Sequence, residues 1–330
     1  MKIASWNVNS LKVRLPHLLD WLASAKPDVL CLQELKLEDH NFPKAEIEAA
    51  GYQVAFSGQK TYNGVALLAR QPIHDVVCGN PHFPDEQKRL ISGTVDGTRV
   101  ICAYMPNGQE VGCDKYDYKL RWLDALAVWL GEELAKYPQL ALCGDYNIAP
   151  DDRDVHDPQR WAGKILCSEP ERAAFQRLLG LGLTDSFRLF AQPEKTFSWW
   201  DYRMLGFQKN LGLRIDHVLL SPPLAQQCTA AGIDRAPRKL ERPSDHAPVW
   251  ATLASGPEAK VCCSSLNLLW SAVERSTIGV GFRLSGAVLA RLGVMKASAA
   301  IAASACVMNF MSPPPRGRTR DILCRQTTQS

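Results

Sequence analysis

An α/β fold, with mixed sheets in layers and helices outside them, is what this chain predicts. Three observations carry that expectation. Short runs rich in β-branched and aromatic residues recur along the first 255 positions. Leucines at helical spacing lie between some of them. Other neighbouring runs look like hairpins, which rules out strict β-α-β alternation.

The elements follow in order. Ile3 to Val8 reads as the first strand. Leu11, Leu15, Leu18 and Leu22 then mark a helix with Ser10 as its N-cap. Val29 to Leu32 is the next strand, and Gln53 to Phe56 with Val65 to Ala69 form a hairpin-like stretch. Ile91 to Tyr104 is another, in which Val95-Asp96-Gly97-Thr98 carries a strong turn signal before the Arg99 to Met105 run. Leu120, Leu123, Leu126, Leu130 and Leu134 mark a second helix, and Leu140 to Cys143 a further strand. Glu171 to Leu179 is a third helix; His217 to Leu220 and Pro248 to Leu253 close the series as strands. No repeat of fixed period is present.

The 330 residues are 46% hydrophobic, enough for a large core. Residues 256–330 hold nine Lys/Arg and three Asp/Glu, a net +6, so the formal +4 of the whole chain leaves net −2 on residues 1–255. A nucleic-acid partner would therefore meet a local patch, with a metal offsetting acids at the site. The character changes near Gly256, which divides a catalytic domain, 1–255, from an extension, 256–330, expected to be weakly ordered or non-native. Arg283, Arg291 and Lys296 interrupt its apolar stretch, so no membrane span is expected. None of the seven cysteines before residue 255 forms a Cys-x-x-Cys pair, and Met1-Lys2-Ile3 runs straight into a strand. Both features point to a reducing compartment, the cytoplasm.

Polar residues gather at strand ends. Asn7 follows the first strand, Glu34 the second, and Tyr104 ends another before Pro106-Asn107-Gly108. Singly, such residues are usually turn formers or solvated acids. Asp145 and Asn147 flank Tyr146, and side chains at i and i+2 of a strand share a face. Asp216 stands at the start of a strand, where a surface acid or a salt bridge with Arg214 is the plain alternative; Asp245-His246 precedes the last strand. Taken together, carboxylates for a hard divalent cation with a histidine beside them suit attack by water on a phosphodiester.

The ordered series Asn7, Glu34, Tyr104, Asp145-x-Asn147, Asp216, Asp245-His246 resembles the exonuclease III family of DNA repair nucleases, within the endonuclease/exonuclease/phosphatase superfamily. The matching segments include Leu32-Gln33-Glu34, Gly144-Asp145-Tyr146-Asn147-Ile148-Ala149-Pro150, Leu213-Arg214-Ile215-Asp216-His217 and Pro243-Ser244-Asp245-His246-Ala247-Pro248. The likeness runs from residue 1 to about 254. It implies a four-layered α/β sandwich of the deoxyribonuclease-I-like kind, two packed mixed β-sheets flanked by helices.

The resemblance also implies roles. Glu34 would bind Mg2+, or Mn2+ in its place, with Asn7, Asp145, Asn147, Asp245 and His246 completing the metal site. Asp145 would deprotonate the attacking water and Asn147 would hold that geometry. His246 would contact the scissile phosphate, with Asp216 fixing its tautomer, and Tyr104 would touch the phosphate or assist the leaving oxygen.

The implied partner is duplex DNA with abasic sites or 3′ ends, met by a monomer. Phe197 and Leu213 match positions lining an abasic-sugar pocket; Arg89, Asn107, Lys115 and Lys119 are the expected phosphate contacts. Lys195 to Phe207 interleaves aromatic and basic residues, which suits a wedge or pocket wall as well as core. Two other functions fit the fold: a phosphodiesterase or phosphatase acting on a lipid or small phosphoester, and a catalytically inactive DNA-binding protein.

Overall fold

Two six-stranded sheets organise residues 1–254, the part of the chain that this computed structural model describes. The extension expected over 256–330 lies outside the described residues. In chain order the strands are β1 (Lys2–Asn7), β2 (Val29–Gln33), β3 (Gln53–Ser57), β4 (Val65–Ala69), β5 (His74–Cys78), β6 (Leu90–Val95) and β7 (Thr98–Tyr104). They continue with β8 (Leu140–Asp145), β9 (Thr184–Asp185), β10 (Trp199–Trp200), β11 (Gly212–Leu213), β12 (Asp216–Leu220), β13 (Cys228–Ile233) and β14 (Val249–Leu253). The helices are α1 (Leu11–Ala25), α2 (Lys44–Ala49), α3 (Asp114–Lys136), α4 (Pro158–Trp161), α5 (Glu169–Gly180) and α6 (Pro222–Gln227).

One sheet runs β13-β14-β1-β2-β4-β3 and the other β5-β6-β7-β8-β12-β9. Each holds a single parallel pair, β1 with β2 and β7 with β8. A parallel pair needs a long crossover, and α1 and α3 supply the two. The carboxyl ends of these four strands lead to Asn7, Glu34, Tyr104 and Asp145. Ligands of open α/β sheets commonly bind outside such ends.

Alternation along the strands divides the core. Ile3, Cys31, Cys102 and Cys143 pack between the sheets. Ala4, Trp6, Leu30 and Leu32 face outward against Leu18 and Leu22 of α1. On the other sheet Ile101 and Leu142 meet Trp122, Leu126 and Leu130 of α3 and Phe175 of α5. Strands covered on both faces read as near-continuous apolar runs, which is why they were visible in the sequence. The result is the four-layered sandwich.

Some local expectations change. Ser10 precedes α1 but does not cap it: its φ is 88° and its side chain makes no cap hydrogen bond. The real capping box is at α5, between Ser168 and Glu171. β5 and β13 escape the pattern search. β5 is exposed along its length at a sheet edge, and β13, also an edge strand, is rich in Ala and Gly. The turn between β6 and β7 is as expected, with Asp96 and Gly97 both at positive φ, 47° and 74°. Gly144 is required for close approach: a Cβ there would stand 1.8 Å from the Ala103 carbonyl oxygen.

Candidate active site

Asn7 is buried at the end of β1, and its amide nitrogen donates to two carboxylates at once. These are Glu34 Oε2 at 2.9 Å and Asp145 Oδ2 at 2.9 Å. Glu34 reaches that position because its backbone turns left-handed, φ 60°, directly after β2. Its other oxygen pairs with Lys36 Nζ at 2.9 Å. Lys36 was not singled out from sequence; only the unusual backbone of 34 and 36 brings it back.

Asp145 has two register partners, Tyr104 on β7 and Asp216 on β12. Beyond Asp145 the strand ends, so period two does not place Asn147. A left-handed turn does, φ 49°, closed by the Asn147 backbone N–H donating 2.9 Å to Asp145 Oδ1. Asn147 Nδ2 donates to the Met105 carbonyl at 3.0 Å, and Asn107 Nδ2 donates to Asn147 Oδ1 at 2.9 Å.

Asp216 is buried and does not pair with Arg214, which instead binds Asp154 and Asp185. It takes His246 Nδ1 at 2.9 Å and the Ser198 hydroxyl at 2.7 Å. Ser198 in turn accepts the Ile215 and Asp216 backbone N–H groups at 3.0 Å. Nothing in the sequence pattern marks Ser198. His246 Nε2 lies 3.6 Å from Asp145 Oδ2, and ligand atoms of Asp145, Asp216 and His246 all lie within 4.8 Å of one another.

Charge follows from this packing. Burial lifts Asp145 to about 7, with His246 opposing and Asp216 adding to the rise. For His246 burial opposes the charge, but Asp216, then Asp145 and Asp245, overcome it and raise the imidazole to about 10. Near neutrality His246 is an imidazolium and Asp145 is poised to exchange a proton. Burial, Glu34 and Asp145 push the Tyr104 hydroxyl well up, so it remains a neutral donor.

Not every expected residue joins this centre. Asp245 stands apart from the clustered ligand atoms: its oxygens accept from Asn9 Nδ2 and Trp199 Nε1, both at 2.9 Å. Lys119 contacts no solvent. Its ammonium is enclosed and bonded to Asn107, Asn147 and Glu171, so a direct phosphate contact is excluded in this structure. Phe197 and Leu213 are also fully buried and expose no surface here. Phe197 packs with Trp200 and Ala247, and Leu213 with Ala149 and Ile215.

Two grooves flank the centre. One, about 800 Å3, brings together Arg89, Asn107 and Lys115 with Tyr62 and Asn63. The other, about 670 Å3, is lined by His156, Arg160, Trp161, Lys164, Trp199 and Met204. The aromatic segment divides: Phe197 and Trp200 are core, while Tyr202, Met204 and Leu205 project, Met204 being 77% exposed. Met204 and Leu205 both hold positive φ, 60° and 57°. No helix among the described residues is long and apolar enough to cross a membrane.

Comparison with known proteins matches this arrangement. The Endonuclease/Exonuclease/phosphatase family model matches residues 4–246. Exodeoxyribonuclease III of Haemophilus influenzae is 40% identical over 265 residues, covering 76% of this chain and 99% of that protein. The structure of a Neisseria 3′ phosphatase bound to a product DNA hairpin is similar at TM-score 0.76 and 48% identity, covering 77% of this chain and all of that one. An AP endonuclease from Archaeoglobus fulgidus is similar at TM-score 0.75 and 39% identity, with 77% and 100% coverage.

Proposed function

The chain belongs to the exonuclease III family of the endonuclease/exonuclease/phosphatase superfamily and is a DNA repair nuclease; we propose that it cleaves 5′ to abasic sites and trims 3′ ends of duplex DNA, as a monomer in the cytoplasm. The observation that carries the reading is His246 held between Asp216 and Asp145, beside the Asn7–Glu34 pair. The relatives are nucleases and a DNA 3′ phosphatase, which favours DNA over a lipid phosphoester.

Asp145 accepts the proton of the attacking water. Its carboxylate is oriented by the Asn7 amide and the Asn147 backbone N–H. His246 directs a charged Nε2–H to the scissile phosphate, because Asp216 and Ser198 fix the opposite side. Tyr104 donates its O–H to a phosphate or leaving oxygen. Asn147, pinned by Asn107, holds the water and phosphate in register.

The donor set fits a hard divalent cation. Glu34 and Asp145 bring carboxylate oxygens onto one amide, and the Glu34 side chain is 18% exposed. Those two would hold Mg2+, which when bound supplies charge neutralisation at the phosphoryl group. Asp216 and His246 are less suited as ligands, since each already satisfies the other. Arg89, Asn107 and Lys115 in one groove, and Arg160 and Lys164 in the other, would receive backbone phosphates. Exposed Met204 and Leu205 would press on the base stack beside the site.

The test uses three labelled duplexes: one with a single abasic analogue, one with a recessed 3′ end and one ending in a 3′ phosphate, each with magnesium and with EDTA. The third is included because the Neisseria relative is a 3′ phosphatase. Magnesium-dependent cleavage at the abasic analogue and at the recessed end is expected. Release of inorganic phosphate alone would remove both nuclease activities from the assignment.

A further inference from the structure

Lys119 sits in the second turn of α3 with its side chain fully enclosed. Its ammonium donates to the Asn147 carbonyl at 2.6 Å, to the Asn107 carbonyl at 3.2 Å and to Glu171 Oε1. Glu171 is equally enclosed. It accepts the Leu166 and Ser168 backbone N–H groups at 3.1 Å and the Ser168 hydroxyl at 2.6 Å, while Tyr116 Oη bonds that hydroxyl at 2.7 Å. One ammonium thus joins α3, the cap of α5 and the two loops that carry Asn107 and Asn147.

The polar groups of Asn147 each have a protein partner, and its amide nitrogen keeps a second N–H. Its backbone N–H is on Asp145, its Nδ2 on Met105 and its Oδ1 on Asn107. Lys119 holds the carbonyl that remains. Stability alone does not explain a buried ion pair here, because well-packed neutral residues often serve as well or better. The ammonium, with three N–H donors, meets both main-chain carbonyls and Glu171 together.

We propose that Lys119 is a positioning residue: its ammonium, neutralised by Glu171, pins the Asn107 and Asn147 carbonyls and so aims both amides at the scissile phosphate. The proposal rests on the nuclease reading of the site. Misplacement by about an ångström can cost roughly a hundredfold in rate. Lys119 has no exposed surface, so its loss acts on turnover through Asn147 and leaves substrate affinity in place.

The test measures kcat, KM and the thermal midpoint for the full chain, for Lys119→Met and for Lys119→Met/Glu171→Gln, on the abasic duplex. Lys119→Met should lower the midpoint, since it strands a buried carboxylate. The double variant removes both charges and should regain most of that loss. In both, kcat should fall about ten- to hundredfold with KM within about twofold. Recovery of kcat together with the midpoint in the double variant would reduce the pair to packing and overturn the proposal. A raised KM at unchanged kcat would overturn it too, by placing Lys119 on DNA. Absence of cleavage by the unaltered chain would strike the nuclease reading instead.

Discussion

Asp145 and Asp216 are register partners across β8 and β12, yet they are not equivalent: Asp216 is bound by His246 at 2.9 Å and by Ser198, whereas Asp145 stands 3.6 Å from the same imidazole. Two buried carboxylates so close would repel, and the imidazolium between them removes that cost. It also separates their work. In the proposed mechanism Asp216 orients His246 and Asp145 handles the proton.

Asp145→Asn should therefore abolish most turnover while leaving duplex binding within a few-fold. A positioned general base contributes about a hundredfold or more. The lost charge lies near phosphate, so binding has no reason to weaken. Single-turnover cleavage and a separate binding titration check this. Retention of more than about a tenth of turnover would remove Asp145 from the role.

Asp216→Asn acts on pH as well as rate. Asp216 is the largest favourable influence on the His246 charge, which persists until pH rises to about 10. Without it His246 loses its proton at lower pH, so the alkaline limb of kcat should move toward neutrality. A pH profile of the variant with an unmoved alkaline limb would show that His246 does not act as a cation.

Much of this centre could be read from sequence, for a physical reason. Asn7, Tyr104 and Asp145 end strands buried on both faces and Glu34 directly follows one, and such strands are conspicuous as apolar runs. What could not be read depends on backbone that no local pattern encodes. Lys36 meets Glu34 only through two left-handed residues, and Asn147 turns in after the strand has ended. Lys119 looks like one more exposed helix lysine until α5 packs Glu171 against it. Ser198 looks like any serine until Ile215 and Asp216, at the entry to β12, lay their N–H groups on it.

Glu34→Gln should shift the magnesium dependence to higher concentration. The change removes a formal charge from a hard-cation ligand and also frees Lys36. Activity across a magnesium series should rise later and recover in part at high metal. Coincident curves for variant and parent would take Glu34 out of the metal site.

His217 sets an acid limit on stability. Its Nε2 donates to the Ile148 carbonyl at 2.9 Å, and Nδ1 accepts from Arg214 at 3.0 Å, so the neutral tautomer is fixed. Burial and then Arg214 lower it to about 4 from the ordinary 6.5. Between those values the unfolded chain binds the extra proton, so this contribution is full above about pH 6.5 and is lost as pH falls toward 4. The complete loss is about 3 kcal/mol. Asp145, raised to about 7, slopes the opposite way over much of the same range, so the comparison with His217→Gln isolates the effect. As pH is lowered from 7 to 4, denaturant midpoints should fall less steeply in the variant; parallel slopes would exclude His217.

The remaining prediction concerns charge that the catalytic region lacks. Residues 256–330 carry net +6 against net −2 on residues 1–255. If that excess meets DNA, it does so through phosphates and counterion release, without sequence preference. Truncation after Ala254 should then leave turnover on saturating abasic duplex nearly unchanged, because every residue assigned to the centre precedes it. Affinity for undamaged duplex should weaken at low salt, and its dependence on salt should become shallower. Duplex affinity across a salt series for both chains tests this. Equal slopes would mean that these residues make no phosphate contacts, and a collapse of turnover would mean that the catalytic region depends on them for its fold.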